Sequence, residues 1–409
     1  MTASEIACDL FGATLERLDS AALVASALHA VEIDTDVVVL AVGKAAARMA
    51  TGAVSALGAR VVSGLVVVPE ADHVPAPLVM RVGSHPVANP ASERAGRALL
   101  DAASRAAAHQ TVLALISGGA SALAAVPAPG LTLSDKNFAV SAVMASGAPI
   151  GDINTVRKHL SAIKGGRLAA ASRAPVLSLI SSDVVGDDLA SIGSGPTVPD
   201  PTTNADALAI LQRTGAPIAK RIEQHLRRAA DTPKQLDERC GALLVAGTGA
   251  LVDAAVTARD GVEQLARNVT GDVADVARML AGAARDAARD AVARGRVVVR
   301  VAGGEPTVAL PPNPGQGGRA QQLALLVARD IAGLDNVAVL AAGSDGIDGN
   351  TTAAGAVVDG QTWSEAGHDP AGALRRCDAY TALDIADALL VTGRTGINHA
   401  DLFIVAATP

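Results

Sequence analysis

Apolar and polar positions follow a repeating order along the first half of the chain: a short apolar run, a glycine-rich or polar turn, and an alanine-rich segment with helical spacing. Apolar runs bounded by turn residues are typical of buried strands. They predict strands at residues 36–42, 64–68, 81–82, 111–116 and 176–180. Helical spacing predicts helices in the opening region to residue 29, over residues 92–108, and from Ser134, as the N-cap, to residue 145. This alternation predicts a doubly wound parallel sheet.

A polar stretch with a proline, residues 229–240, predicts a boundary between domains at residues 1–235 and 236–409. Beyond it, apolar runs predict strands at residues 243–246, 297–301, 307–310 and 337–341, the first of which begins a second series. A helix is predicted over residues 320–330. The predicted fold class is α/β, with two α/β domains, the first a Rossmann-like doubly wound parallel sheet, and an interdomain cleft.

Composition narrows the class of protein. Half of the 409 residues are apolar, yet there are only one Trp, one Tyr and three Phe, which predicts a core of small aliphatic side chains. The net charge of −7 argues against nucleic acid or an anionic membrane as the partner. Three scattered cysteines fit reduced thiols. We therefore expect a cytoplasmic protein that acts on a small molecule, and a homo-oligomer is compatible with these features.

Three segments match known sequence motifs only in part. Gly43-Lys44 resembles the end of a P-loop, but Val38 replaces the first glycine and Ala45 replaces the hydroxyl residue that holds magnesium. Residues 119–123 lack the second glycine of a hydrolase nucleophile elbow. Residues 247–252 follow a predicted strand, but their sixth position is Val rather than Gly or Ala, which argues against a dinucleotide site.

The loop at residues 181–203 is rich in candidate chemistry. Asp183, Asp187 and Asp188 lie within six residues, and Gly193-Ser194-Gly195-Pro196 follows them. Carboxylates next to exposed backbone amides suit a metal–phosphate complex at the end of a parallel strand. Turn-forming residues in a solvated loop are the alternative.

Other segments provide groups suited to phosphoryl transfer, which needs backbone amides and cations around the phosphates and carboxylates for magnesium or a proton. Ser117-Gly118-Gly119 at a helix N-terminus can provide the amides, and Lys44 occupies the matching turn of the first strand. Further cations lie at Arg319 and within residues 157–167, and a second acidic loop carries Asp345, Asp348 and Asn350. Ordinary turns and exposed side chains would explain each of these features as well.

Together these segments resemble the glycerate 2-kinases with a MOFRL-type C-terminal domain. In the first half the matching segments are AVGKAA from Ala41, GSHPV from Gly83, LISGGASAL from Leu115, NTVRKHLSAIKGGRLA from Asn154 and SSDVVGDDLASIGSGPTVPD from Ser181. In the second half they are GGEPTV from Gly303, GQGGRAQQLAL from Gly315, AAGSDGIDGNTTAAGAVVD from Ala341 and TGRTGIN from Thr392. The resemblance implies phosphorylation of the 2-hydroxyl of D-glycerate by ATP with Mg²⁺, giving 2-phospho-D-glycerate.

The resemblance also implies roles for individual residues. Lys44 is expected to contact the transferring phosphate, and Arg319 is expected near the substrate carboxylate or the developing charge. Asp187, which follows Gly186, is expected to serve the metal or the substrate hydroxyl, so Lys44, Arg319 and Asp187 are the catalytic candidates. The metal candidates are Asp183 and Asp187. The substrate- and nucleotide-binding candidates are Ser117, Gly118, Gly119, Ser121, Lys158, Asp183, Ser194, Gly195, Asp345, Asp348 and Asn350.

The chain departs from the family pattern in its second half. Ala320 and Gln322 replace an amide and a carboxylate beside Arg319, Gly249 replaces an Asn, and His399 stands in an altered late motif. Lost hydrogen-bonding partners change substrate preference by large factors. Three alternatives therefore stay open: a kinase for a related small hydroxy acid, a hydroxypyruvate reductase, and a non-catalytic nucleotide- or hydroxy-acid-binding homologue.

Overall fold

A computed structural model describes residues 1–184, 186–215 and 218–409. The chain forms two compact units, which we call the first unit (Ser20–Ala246) and the second unit (Met1–Asp19 with Gly247–Pro409). These units differ from the domains expected from the sequence, because the opening residues pack with the C-terminal part and the boundary lies at residue 246 rather than residue 235.

The secondary structure alternates as the apolar pattern indicates. The strands are β1 (Val37–Val42), β2 (Val61–Val68), β3 (Leu78–Val82), β4 (Thr111–Ile116), β5 (Val176–Ser181), β6 (Gly241–Ala246), β7 (Val262–Val269), β8 (Val298–Gly304), β9 (Val337–Gly343), β10 (Gly355–Asp359), β11 (Leu389–Leu390) and β12 (Asp401–Ala407). The α-helices are α1 (Ala3–Arg17), α2 (Ser20–His29), α3 (Ala46–Leu57), α4 (Pro90–Arg105), α5 (Ala120–Leu123), α6 (Leu133–Ala145), α7 (Ile150–His159), α8 (Arg167–Ala170), α9 (Asn204–Arg213), α10 (Lys220–Arg228), α11 (Ala250–Ala258), α12 (Val273–Arg294), α13 (Arg319–Asp330), α14 (Thr362–Glu365), α15 (Pro370–Arg376) and α16 (Ala379–Ile385). Short 3-10 turns lie at Gly58–Arg60 and Ile192–Ser194.

The first unit contains a parallel sheet in the order β3-β2-β1-β4-β5-β6. Every residue of β1 is buried, as expected for a strand covered by helices on both faces. The α/β class and the doubly wound, Rossmann-like first sheet predicted from the sequence are therefore confirmed. One assignment was wrong: β6 does not begin a second series, because it pairs in parallel with β5.

The second unit contains a mixed sheet in the order β11-β10-β9-β12-β8-β7. Only β7 and β8 run parallel within the described residues, and β12 lies between β9 and β8, antiparallel to both. The strand expected at residues 307–310 is not formed, since Thr307 makes only an isolated bridge with Asp272. Helices α12 and α13 pack on this sheet through alanine, leucine and valine side chains.

Local chemistry explains where individual helices begin. Helix α6 starts after Thr132, whose side chain accepts the Asp135 N–H while the Asp135 carboxylate accepts the Thr132 N–H. Ser134, expected as the N-cap, is instead inside the helix. No helix in the described part of the chain is long and apolar enough to cross a membrane.

Candidate active site

The first group of candidate residues lies where the order of the parallel sheet reverses. The chain leaves β1 toward β2 and β3 on one side, and β4, β5 and β6 follow on the other. Gly43-Lys44 follows β1 and Ser117-Gly118-Gly119 follows β4, so both turns lie at this switch point. Open α/β sheets bind their ligands in the crevice that such a reversal creates.

Hydrogen bonds lock these two turns together. The Lys44 N–H donates to the Gly118 carbonyl at 2.9 Å, and the Ser117 hydroxyl oxygen accepts the Ala45 N–H at 3.1 Å. Gly43 has φ of +138°, and a Cβ atom there would lie 2.0 Å from Ser117 Oγ. Only glycine fits this position, and the fully buried Ser117 side chain fixes the turn from inside.

Backbone donors remain available beside Lys44. Neither the Gly118 nor the Gly119 N–H donates to an acceptor within the described residues. A Cβ atom on Gly119 would lie 3.3 Å from Lys44 Cγ and 3.2 Å from His85 Cδ2, so these three residues converge. Consecutive amides near a lysine make an anion-binding concavity. The helix that follows, α5, has only four residues, so its dipole adds less than the sequence suggested.

The predicted ligand Ser194 belongs to a strained turn on the same unit. Its hydroxyl lies 2.9 Å from the Ser121 hydroxyl and donates to Asn154 Oδ1 at 3.2 Å. Gly193, Ser194 and Gly195 all have positive φ, at 59°, 61° and 57°. A buried serine held in this conformation stores strain of about 1–3 kcal/mol, and such positions cluster at functional sites.

The three aspartates of the acidic loop after β5 have different surroundings. Asp188 accepts the Ala190 N–H at 3.1 Å and the Ser191 hydroxyl at 2.6 Å, so it shapes the turn. Asp183 and Asp187 are half-buried, and Asp187 has φ of 53° after Gly186. In residues 1–184, 186–215 and 218–409, no three His, Cys, Asp or Glu side chains are grouped to hold a metal ion. The metal assignment to Asp183 and Asp187 stays a prediction.

Lys158, another predicted ligand, is part of a buried ion pair. Its ammonium lies 3.1 Å from Asp200 Oδ1, and His159 Nε2 lies 3.4 Å from Asp200 Oδ2. Burial opposes ionisation of Asp200, but hydrogen bonds from His159 and Thr202 and the charge of Lys158 hold the Asp200 pKa below its usual range. These contacts give Lys158 a structural role, and its predicted contact with a ligand stays a prediction.

The second group of candidates lies on the second unit, around Arg319 at the start of α13. Its Nε and Nη2 donate to the two oxygens of Asp401 at 2.6 and 3.0 Å, and its Nη1 donates to Glu305. Burial works against the Arg319 charge, yet the carboxylates of Asp401 and Glu305 hold the Arg319 pKa above its usual value. The bidentate contact fixes the plane of the guanidinium.

Asp348 anchors the loop after β9 to the start of α13. Its carboxylate accepts the N–H groups of Ala320 and Gln321 at 3.2 and 2.8 Å, which satisfies two free donors of the helix N-terminus. Burial and the nearby Asp401 raise the pKa of Asp348 to about 7, although the two N–H groups and Arg319 oppose this. Asp348 therefore holds the segment on which Arg319 is placed.

The remaining predicted ligands of this loop have different surroundings. Asn350 is exposed, and its Oδ1 accepts the Gly317 N–H at 2.9 Å. Asp345 is half-buried and accepts the Ile347 N–H at 3.1 Å. Both side chains order the loop, and both lie on the loop that carries Asp348.

The residues that depart from the family pattern have different surroundings. The Gln322 side-chain amide donates to the Leu374 carbonyl at 2.9 Å. Ala320 is fully buried, and the His399 N–H donates to the Ser344 hydroxyl at 2.8 Å. No hydrogen bond joins Gln322 to Arg319 within the described residues.

Sequence reasoning missed three residues of these groups. His85, Glu305 and Asp401 each lie inside a matching segment or near its end, yet their residue types and spacing indicated no role. The only signal for Asp401 was its place before the apolar run 402–407, which predicts a strand and hence a carboxylate at a strand terminus.

Comparison with known proteins gives the family. Residues 6–227 match the domain of unknown function DUF4147, and residues 298–401 match the MOFRL family. A protein of Agrobacterium vitis whose name includes hydroxypyruvate reductase is 38% identical over 375 residues, covering 89% of this chain and 86% of that one. The D-glycerate 2-kinase of Thermotoga maritima is 36% identical over 380 residues, covering 90% of each chain.

A solved structure agrees with these matches. The crystal structure of glycerate kinase from Thermotoga maritima is similar to this chain with a TM-score of 0.89 and 33% identity, over 99% of both chains. The fold and the matches define an α/β kinase. The chain belongs to the glycerate 2-kinase family with a MOFRL domain, which confirms the family and enzyme class predicted from the sequence.

Proposed function

We propose that this protein transfers a phosphoryl group from ATP to the 2-hydroxyl of D-glycerate with Mg²⁺, releasing ADP and 2-phospho-D-glycerate. The observation that carries the proposal is the pair of turns after β1 and β4, where Lys44 lies beside Gly119 and the Gly118 and Gly119 N–H groups are unused within the described residues. Catalysis of phosphoryl transfer consists mostly of positioning and charge neutralisation.

Lys44 and the two amides have complementary tasks in this proposal. An ammonium group acts on a phosphate as a compact point charge, and backbone N–H groups fix the phosphate oxygens without reorganisation. The hydrogen bonds that lock the two turns hold this arrangement before the substrate binds.

The acidic loop can supply part of the ligands that a magnesium ion needs. Mg²⁺ usually takes one or two protein carboxylates and completes its octahedron with phosphate oxygens and water. Asp183 and Asp187 can supply that number of carboxylates, and both are half-buried rather than sequestered. When bound, the ion would neutralise charge on the donor phosphates, and Asp187 would bind it or accept the hydroxyl proton.

Arg319 is proposed to bind the carboxylate of the substrate or the developing charge. Three of its five N–H groups donate to Asp401 and Glu305 in the described part of the chain, so two remain for an anion. The residue is 33% exposed, whereas Asp401 behind it is 2% exposed, so a ligand can reach the arginine.

Reduction of hydroxypyruvate is the second candidate, because the name of the Agrobacterium vitis relative includes it. The turn after β1 argues against this activity, since a dinucleotide site has several glycines there and this chain has Gly43 followed by Lys44. A kinase for a related hydroxy acid would instead turn over that acid faster than D-glycerate, and a homologue that only binds its ligands would release no ADP.

The test is to measure ADP release with D-glycerate and a panel of small 2-hydroxy acids, with and without Mg²⁺. We expect Mg²⁺-dependent release that is largest for D-glycerate, and ³¹P NMR should show the phosphate on the 2-hydroxyl. NADH or NADPH oxidation with hydroxypyruvate would support the reductase. Nucleotide binding without release of ADP would refute the kinase proposal. We also propose a cytoplasmic location for this activity, which cell fractionation can test.

A further inference from the structure

Three basic side chains of the first unit form a buried cluster: Lys136 on α6, Arg157 on α7 and Lys164 in the turn before α8. Lys136 is 4% exposed and Lys164 is 1% exposed, and Arg157 is half-buried. Burial lowers the pKa of Lys136 to about 7, and the charge of Arg157 acts in the same direction. Burial, followed by the charges of Lys136 and Arg157, lowers the pKa of Lys164 well below its usual value.

No carboxylate neutralises this cluster in the described part of the chain. Lys164 Nζ reaches only the Gly193 carbonyl, at 3.4 Å, and Arg157 reaches only Asn154 Oδ1, at 3.4 Å, and the Met144 sulfur. The carboxylates of the surrounding helices and loops pair with other cations: Asp135 with Arg221, Asp152 with Arg213 and Asp200 with Lys158. A buried charge without a counter-charge is strongly unfavourable, so the two lysines lose their protons readily unless an anion supplies the counter-charge.

The cluster borders the strained serine turn. Lys164 contacts the carbonyl of Gly193, and the next residue, Ser194, hydrogen-bonds Asn154 and Ser121. Asn154 in turn accepts from Arg157. Two cations and two hydroxyl groups are thus joined through one short segment of backbone, which can present them together to a tetrahedral anion.

We propose that Lys136, Arg157 and Lys164 form a subsite for a phosphate group, with the Ser121 and Ser194 hydroxyls as additional donors. A bound anion favours the protonated form of both lysines. With Arg157 they then supply three positive charges, which match a phosphate, with up to two negative charges, better than a carboxylate with one. This inference rests on the proposed kinase function for the identity of the anion, which is a phosphate of the nucleotide or of the phosphorylated acid. Both sources present the same chemistry.

The test compares Lys136→Met and Lys164→Met with Lys220→Met, which removes an exposed lysine from the same unit. Isothermal titration would measure binding of ADP, inorganic pyrophosphate, 2-phosphoglycerate and D-glycerate. We expect each cluster variant to bind at least one phosphate compound about tenfold or more weakly, with D-glycerate binding unchanged and Lys220→Met like the wild type. Weaker binding of ADP and pyrophosphate assigns the subsite to the nucleotide; weaker binding of 2-phosphoglycerate alone assigns it to the product.

Thermal unfolding without ligand separates this role from a structural one. Removal of a buried charge that lacks a counter-charge should leave Tm unchanged or raise it, whereas loss of a lysine needed for the fold should lower Tm. Unchanged binding of all phosphate compounds in both cluster variants would overturn the inference. If one lysine variant fails to fold, phosphate binding by the other variant and by Arg157→Met still tests the inference. A wild-type protein that binds pyrophosphate but never releases ADP would refute the kinase proposal and leave the subsite intact.

Discussion

Replacement of Gly318 by alanine should disrupt the start of α13 and Arg319 with it. The added Cβ would lie 2.1 Å from Asp348 Oδ1, 2.3 Å from its Cγ and 2.5 Å from the Gly349 backbone nitrogen. Non-bonded carbon atoms pack at about 3.5–4.0 Å, so Asp348 must move by roughly 1 Å or more and give up its bonds to the Ala320 and Gln321 N–H groups.

The size of the effect follows from those contacts. A hydrogen bond to a charged group contributes about 1.5–3 kcal/mol, and overpacking costs about 1–3 kcal/mol. Release of the Asp348 carboxylate toward water offsets part of this, because burial and the nearby Asp401 disfavour its charged form and raise its pKa to about 7. We therefore expect a loss of about 3–5 kcal/mol in the free energy of unfolding at pH 8, where Asp348 is ionised.

The assay uses the single tryptophan, Trp363, which packs against the core of the second unit and so reports on that unit alone. Urea unfolding followed by its fluorescence would give the free energy of unfolding. Gly282→Ala is the matched control, because Gly282 lies within α12 and an added Cβ meets nothing within 4 Å. That change should stabilise by about 0.5–1 kcal/mol. A Gly318→Ala protein within about 0.5 kcal/mol of the wild type would refute the reasoning.

Three further predictions concern charged residues. Lys44→Ala should lower kcat for ADP release by ~10²-fold or more with little change in Tm, since it removes a donor to the transition state; near-normal kcat would contradict the role of Lys44. Arg319→Lys should lower both Tm and kcat/KM, because a lysine cannot replace the fork on Asp401; unchanged glycerate kinetics would count against it. The pKa of Lys136 falls from 10.5 to about 7 on folding, so the unfolded chain binds more protons between these values and stability rises with pH there, by at most about 1.4 kcal/mol per pH unit. Urea titrations at pH 7, 8 and 9 should show a shallower rise in Lys136→Met, and an equal rise would be inconsistent with a buried lysine.

Several strands whose residues are buried on both faces could be predicted from the sequence, because such strands read as continuous apolar runs. β1, β4 and β5 are of this kind, and each was located to within one or two residues. β12 is also buried throughout, but no strand was predicted there. β7 was missed, because it is an edge strand whose residues are mostly exposed. The assignment of β6 failed for another reason: membership of a sheet depends on a partner distant in sequence, which local pattern does not encode.

The candidate site shows the same division. The sequence indicated the turns carrying Lys44 and Gly119, since glycine requirements at strand ends are local. It carried no sign that Lys136 and Lys164 are buried, because lysine is almost always exposed and the burial of these two depends on tertiary packing. The functions of Asp401 and Asp348 in holding Arg319 and the start of α13 depend on strand pairing in the second sheet, which the sequence did not predict.

The position of β12 has a consequence for the order of folding during synthesis. This strand covers Asp401–Ala407, yet it lies between β9 and β8 in the second sheet, and helix α1, from the other end of the chain, packs in the same unit. A chain emerging from the ribosome can complete residues 20–246 first, while β8 and β9 each keep an unpaired edge until β12 is made. A nascent chain stalled before residue 401 should therefore resist proteolysis in its first unit and be cleaved readily in its second.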